Sequence, residues 1–151
     1  MYGFDVIKVK LAADVTAPAQ TIADLIETGK LKYTKEAGFR ATYQDPCFLG
    51  KQNKIFDAPR NILRAVPGLE LLEFTGSREN SLCCEGGGGR MFYEAETPYE
   101  RNSVKRVAGA VDKGAEVLAT SCPFCVMTLE DPATEKGLAV KDISEIVAEV
   151  L

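Results

Sequence analysis

The sequence predicts an α/β fold in which an open, mainly parallel sheet carries helices on both faces. Two observations predict it. Strand-like and helix-like segments alternate along the chain, the order of a parallel sheet with helical crossovers. The 151 residues, 46% hydrophobic and 26% charged, have the composition of one ordinary globular domain and enough length to bury a core.

The elements follow in order. Ile7, Lys8, Val9, Lys10 and Leu11 alternate as a half-buried strand does. Pro18 suits the first turn of a helix whose apolar face is Ile22, Leu25 and Ile26, with Gly29 to end it. Lys30 to Arg40 reads as an exposed basic connector. Ala41 to Asp45 is a short strand. Asp57 caps a helix carrying Ile62, Leu63 and Val66, stopped by Pro67-Gly68. Leu69 to Phe74 is an apolar strand. Thr97-Pro98-Tyr99-Glu100 is a capping box opening a helix with Val104, Val107, Ala108 and Val111 as its core stripe, ended by Gly114. Glu116 to Thr120 is a strand. Pro123 opens a helix through Leu129, halted before Pro132. Leu138 to Lys141 is the last strand, and Asp142 with Glu145 caps a final helix bearing Ile143, Ile146, Val147 and Val150. The result is a Rossmann-like architecture: an N-terminal strand–helix segment, residues 1–40, packed on a domain spanning 41–151.

Composition removes several function classes. The net charge of −4 argues against a nucleic-acid surface. No apolar run is long enough to cross a membrane, and no signal-peptide pattern follows Met1, so a cytoplasmic location is expected. Histidine is absent, which removes Ser/His and Cys/His catalytic pairs and mixed Cys/His zinc sites within this chain.

Five cysteines then call for a role. Five is an odd count for a disulfide framework, and the residues cluster as Cys47, the vicinal pair Cys83–Cys84, and Cys122-x-x-Cys125. Each group follows a predicted strand. In a parallel sheet those three loops leave the same carboxyl edge, where open α/β sheets place their ligands. Thiolates select zinc, copper(I) or iron–sulfur centres. A zinc site or an ordinary cubane takes four ligands, so five point to an unusual cluster or to a four-ligand site with one spare thiol. Gly86, Gly87, Gly88 and Gly89 let backbone N–H groups approach anionic sulfur. Cys122 and Cys125 sit at a helix start, which also favours negative sulfur. Arg90 would offset the charge of such a site, and Phe48 and Phe124 would shield it. Asp45 caps the turn before Pro46. The glycine run ends Gly89-Arg90-Met91 rather than Gly-Lys-Ser/Thr, which argues against a phosphate loop.

Asp45-Pro46-Cys47-Phe48-Leu49-Gly50, Glu79 through Met91, and Cys122-Pro123-Phe124-Cys125, in the spacing C-x35-CC-x37-C-x2-C, resemble the cysteine-rich CCG domain of heterodisulfide reductases and related iron–sulfur oxidoreductases. The similarity covers roughly residues 41 to 151. The resemblance implies a non-cubane [4Fe-4S] cluster held by Cys47, Cys83, Cys84, Cys122 and Cys125. It also implies electron transfer coupled to disulfide or thiol chemistry. A second CCG domain or partner subunits would complete the active site, and attachment to a membrane complex would come through those partners. No single catalytic residue is assigned. Two positions depart from the pattern: Gln44 stands where the family often has histidine, and Glu85 where it often has glycine. Two other readings stay open: a structural zinc site with one idle cysteine, and a metal-free dithiol oxidoreductase working through Cys122 and Cys125.

Overall fold

The computed structural model describes residues 15–93 and 99–151. The predicted strand at 7–11 and the first half of the predicted capping box, Thr97-Pro98, lie outside the described residues. Helix α1 spans Pro18–Glu27, with proline in its first turn as predicted. There follow β1 (Arg40–Gln44), a π-helical turn (Phe48–Gln52), α2 (Asp57–Ala65) and β2 (Glu70–Leu72). After them come α3 (Asn102–Asp112), β3 (Val117–Thr120), α4 (Pro123–Thr134), β4 (Ala139–Asp142) and α5 (Ile143–Glu149). The four described strands form one all-parallel sheet in the order β2-β1-β3-β4. The α/β class and its parallel sheet are as the sequence predicted.

The period of two along the strands divides the core between the faces. Ala41, Tyr43, Val117 and Ala119 pack with Ile62, Leu63, Ile146 and Val147 of α2 and α5, and with Ala19 of α1. Leu118 points the other way, into a second cluster with Val107, Ala110 and Leu129 of α3 and α4. Helices therefore cover both faces.

Five sequence expectations are corrected. The 30–40 connector is not exposed throughout: its polar residues face solvent, but its apolar ones do not. Leu31, Tyr33, Ala37 and Phe39 pack on the first cluster, the Tyr33 hydroxyl donates to the Ile62 carbonyl at 3.3 Å, and Thr34 N–H donates to Val150. Asp57 is the first residue of α2 rather than its cap, and its carboxylate accepts from Arg78 Nη2 at 2.6 Å. The predicted strand at 69–74 pairs over only Glu70–Leu72. Helix α3 begins at Asn102 and buries Ser103, Arg106, Val107 and Ala110, an unbroken i, i+3, i+4, i+7 stripe; Val104 and Val111 are exposed. Pro132 lies inside α4, because burial of Leu129 and Ala133 holds the last turn despite the lost N–H.

Candidate metal centre

The parallel register fixes where the cysteines go. Gln44, the last residue of β1, pairs with Thr120, the last of β3. Cys47 lies three residues beyond β1, and Cys122 two beyond β3. The vicinal pair arrives on the loop after β2, so all three groups sit at the carboxyl edge of the sheet. Cys122 is the residue that precedes α4, Pro123 is its first helical residue, and Cys125 is turned into the core.

The thiols differ in exposure. Cys84 and Cys125 are buried, Cys122 is half-buried, and Cys47 and Cys83 are exposed. Sγ of Cys84 and Sγ of Cys125 stand 3.0 Å apart, beyond a disulfide bond of ~2.05 Å. The hydrogen bond from Cys125 lowers the Cys84 thiol to about 6. Cys122 is likewise lowered to about 6 by its hydrogen bond with Cys125. Those two bonds, with burial, push Cys125 up, so it keeps its proton between two sulfurs disposed to lose theirs. Partial desolvation of its sulfur, and then the like charges of Cys83 and Cys84, raise the exposed Cys47, and Cys122 adds to them. Thus the field at Cys47 includes the vicinal pair and the first cysteine of the Cys-x-x-Cys. Closeness is pairwise: among the described residues no three Cys, Asp or Glu side chains gather around a point fit for one metal ion.

Backbone donors converge on the sulfurs. Glu85 N–H donates to Cys83 Sγ at 3.4 Å, Gly86 N–H reaches Cys84, and the N–H groups of Phe124 and Cys125 reach Cys122. Five soft donors without a histidine, Cys83, Cys84 and Cys122 among them receiving backbone N–H groups, are a donor set that fits an iron–sulfur group.

The four glycines do not act alike. A Cβ on Gly86 would lie 2.4 Å from the Phe124 carbonyl oxygen, so only glycine seats the vicinal pair against α4. Gly87, Gly88 and Gly89 have open space where a Cβ would go; Gly88 and Gly89 take positive φ. Arg90 stacks between Tyr93 and Tyr99, 4.9 Å from each ring centroid, and also bonds the Tyr99 hydroxyl; Glu85 lies 3.9 Å away. Phe48 and Phe124 are surface rings flanking the cysteines, 68% and 50% exposed, and do not fill the core.

Sequence reasoning missed the polar frame beneath the site. Arg60 is fully buried and donates to both oxygens of Asp45, at 2.7 and 2.9 Å, and of Glu73, at 2.6 and 3.0 Å. Asp45 is therefore no simple turn cap. Its Oδ2 also accepts Arg78 N–H at 2.8 Å, joining the Cys47 turn to the loop that leads to Cys83. Gln44 makes a second joint: it accepts from Arg106 Nε at 2.5 Å and donates to the Leu82 carbonyl at 2.9 Å. Arg106 also donates to the Gly76 carbonyl and Ser81 Oγ. An amide side chain offers both the acceptor and the donor this bridge needs. Glu85 adopts positive φ, 64°, a strained conformation for a non-glycine residue. Its carboxylate accepts the Asn102 N–H at 3.2 Å and so closes the first turn of α3. The signal for these residues was faint: an Asp-Pro-Cys turn, and arginines on otherwise amphipathic helices.

The model of the CCG cysteine-rich domain family matches residues 41–130. One subunit of the dihydromethanophenazine:CoB–CoM heterodisulfide reductase of Methanosarcina barkeri is 36% identical over 144 residues, covering 94% of this chain and 35% of that protein. The probable iron-sulfur-binding oxidoreductase FadF of Bacillus subtilis is 35% identical over 134 residues, 86% of this chain and 19% of that protein. A probable membrane-anchored ferredoxin of Chromohalobacter salexigens is 40% identical over 133 residues, 86% of this chain and 20% of that protein. The chain thus spans between a fifth and about a third of the length of these relatives. No solved structure matches it. No helix among the described residues is long and apolar enough to cross a membrane.

Proposed function

This chain belongs to the CCG family of cysteine-rich domains, and from that premise we propose that it is an iron–sulfur redox domain of a heterodisulfide-reductase-like oxidoreductase. In this reading Cys47, Cys83, Cys84, Cys122 and Cys125 hold a non-cubane [4Fe-4S] cluster. The observation that carries it is the delivery of five thiols to one sheet edge by three loops, with N–H donors aimed at the sulfurs. When bound, such a cluster supplies one-electron transfer to or from a disulfide, thiol or linked carrier.

The chain's own residues have defined parts in this proposal. Cys84 and Cys125 anchor the group from the buried side. Cys47 and Cys83 would hold it from the solvent side, and Cys122 from the start of α4. Gly86 gives the room in which Cys84 meets Cys125. Asp45, Arg60, Gln44 and Arg106 fix the spacing of the loops that would hold the group. A second CCG domain or partner subunits would complete the reaction site. That is consistent with the heterodisulfide reductase relative and EtfAB:quinone oxidoreductase being much longer than the part this chain matches. The compartment is cytoplasmic and reducing, with any membrane attachment made through partners.

Cys84→Ser tests the assignment. It is expected to abolish the visible absorption and paramagnetic signal of anaerobically purified protein. An unchanged spectrum would sink it.

A further inference from the structure

A cavity of about 540 Å³ opens directly beside Cys122. Pro18, Phe48, Leu49, Ile55 and Pro123 form much of its wall. The volume lies in the range of small-ligand pockets, roughly 300–1,000 Å³. No charged side chain among the described residues lines it. Its polar side chains are neutral, and those of Thr16, Gln20, Asn53 and Ser121 are already engaged, Thr16 with the Thr21 hydroxyl. Gln20 accepts the Ala17 N–H, Asn53 donates to the Phe48 carbonyl, and Ser121 bonds the Tyr43 hydroxyl. A smaller recess of about 200 Å³ shares the wall at Pro18, Leu49 and Pro123, and its one charged lining residue among the described residues is an acid, Asp142. An anionic ligand entering the larger cavity would lose its water and meet no cation among the described residues. A neutral ligand of low polarity would lose little water and gain apolar contact.

We propose that this cavity binds the disulfide partner of the redox site, and that the partner is a neutral, aliphatic disulfide rather than an acidic one. The inference rests on the reading of the five cysteines as a redox centre, and it deepens that reading by naming a substrate class. The occupant lies against the wall formed by Leu49, Ile55 and Pro123, with its sulfur–sulfur bond toward Cys122.

Oxidised lipoamide and lipoate test this directly. Both carry the same dithiolane ring, so exchange with protein thiols is common to both, and they differ in one carboxylate. Binding is measured by equilibrium dialysis on protein whose iron and sulfide have been determined. Lipoamide is expected to bind at least about tenfold more tightly, the ratio that 1.4 kcal/mol of lost carboxylate solvation produces. Val15 lies at the cavity and is 80% exposed, and Val15→Lys places a cation there at little risk to the fold. That variant is expected to raise lipoate affinity several-fold and leave lipoamide unchanged. Equal affinities in the unaltered protein, a preference for lipoate, or an unmoved ratio in Val15→Lys would each overturn the inference. Iron content separately decides the redox reading, so the two failures are distinguishable.

Discussion

Replacing Arg60 with methionine removes the cation that pairs directly with Asp45 inside the protein. Methionine keeps much of the side-chain length, so the change is chiefly electrostatic. Asp45 is 4% exposed and loses two charge-assisted hydrogen bonds, keeping only the Arg78 N–H. Breaking a buried pair by removing one partner costs about 3–5 kcal/mol. Glu73 adds under ~1 kcal/mol, because its side chain is 35% exposed and Arg64 remains 3.7 Å away. The retained N–H pulls the expected loss toward about 3–4 kcal/mol. At roughly 2–4 °C per kcal/mol for a chain of this size, the melting temperature falls by roughly 6–16 °C. Urea unfolding followed by circular dichroism reads the loss at 25 °C. The double variant Asp45→Asn with Arg60→Met removes both charges and is expected to recover part of it. A loss below about 1 kcal/mol, the worth of an exposed pair, would refute the buried-frame reasoning, as would a double variant no more stable than the single one.

Other outcomes follow from the same geometry. Gly86→Ala drives a Cβ against the Phe124 carbonyl and is expected to cost about 1–3 kcal/mol and to lower iron retention, whereas Gly87→Ala, with open space, stays within about 0.5 kcal/mol; thermal melts and iron content compare the two. Arg106→Met leaves acceptors on Gln44, Gly76 and Ser81 unpaired and costs on the order of 3 kcal/mol, with faster amide exchange across residues 76–84. Burial pushes the Tyr33 hydroxyl up to about 12 from 10. The folded form therefore holds its proton more tightly than the unfolded form. That stabilisation is complete below pH 10 and is lost as pH rises through 12. Tyr33→Phe is expected to make stability less steep in pH over that window, and an unchanged slope would count against the burial.

The sequence made the cysteine geometry legible because a parallel sheet turns strand order into position. Cys47, Cys83–Cys84 and Cys122 needed only three strands running the same way to reach one edge. The polar frame was not legible. Arg60 and Arg106 drew no expectation from the sequence, since their partners lie on other elements and become neighbours only when the sheet forms. The same blindness misplaced the α3 stripe. Val104 and Val111 repeat at helical spacing, yet the helix turns Ser103, Arg106, Val107 and Ala110 inward because the guanidinium has Gln44 and Ser81 to meet. Periodicity shows that a helix has faces; polar partners on other elements helped select the buried one. Pro132 failed as a stop signal for a related reason: packing of Leu129 and Ala133 outweighs one missing hydrogen bond. Glycine identity alone likewise did not separate Gly86, pressed against α4, from the three open glycines beside it.

Iron, acid-labile sulfide and zinc per chain, measured on anaerobically purified protein, test the central claim most directly. Roughly four irons with matching sulfide are expected for a [4Fe-4S] centre. One zinc per chain with neither iron nor sulfide would contradict it and make the five cysteines a structural site.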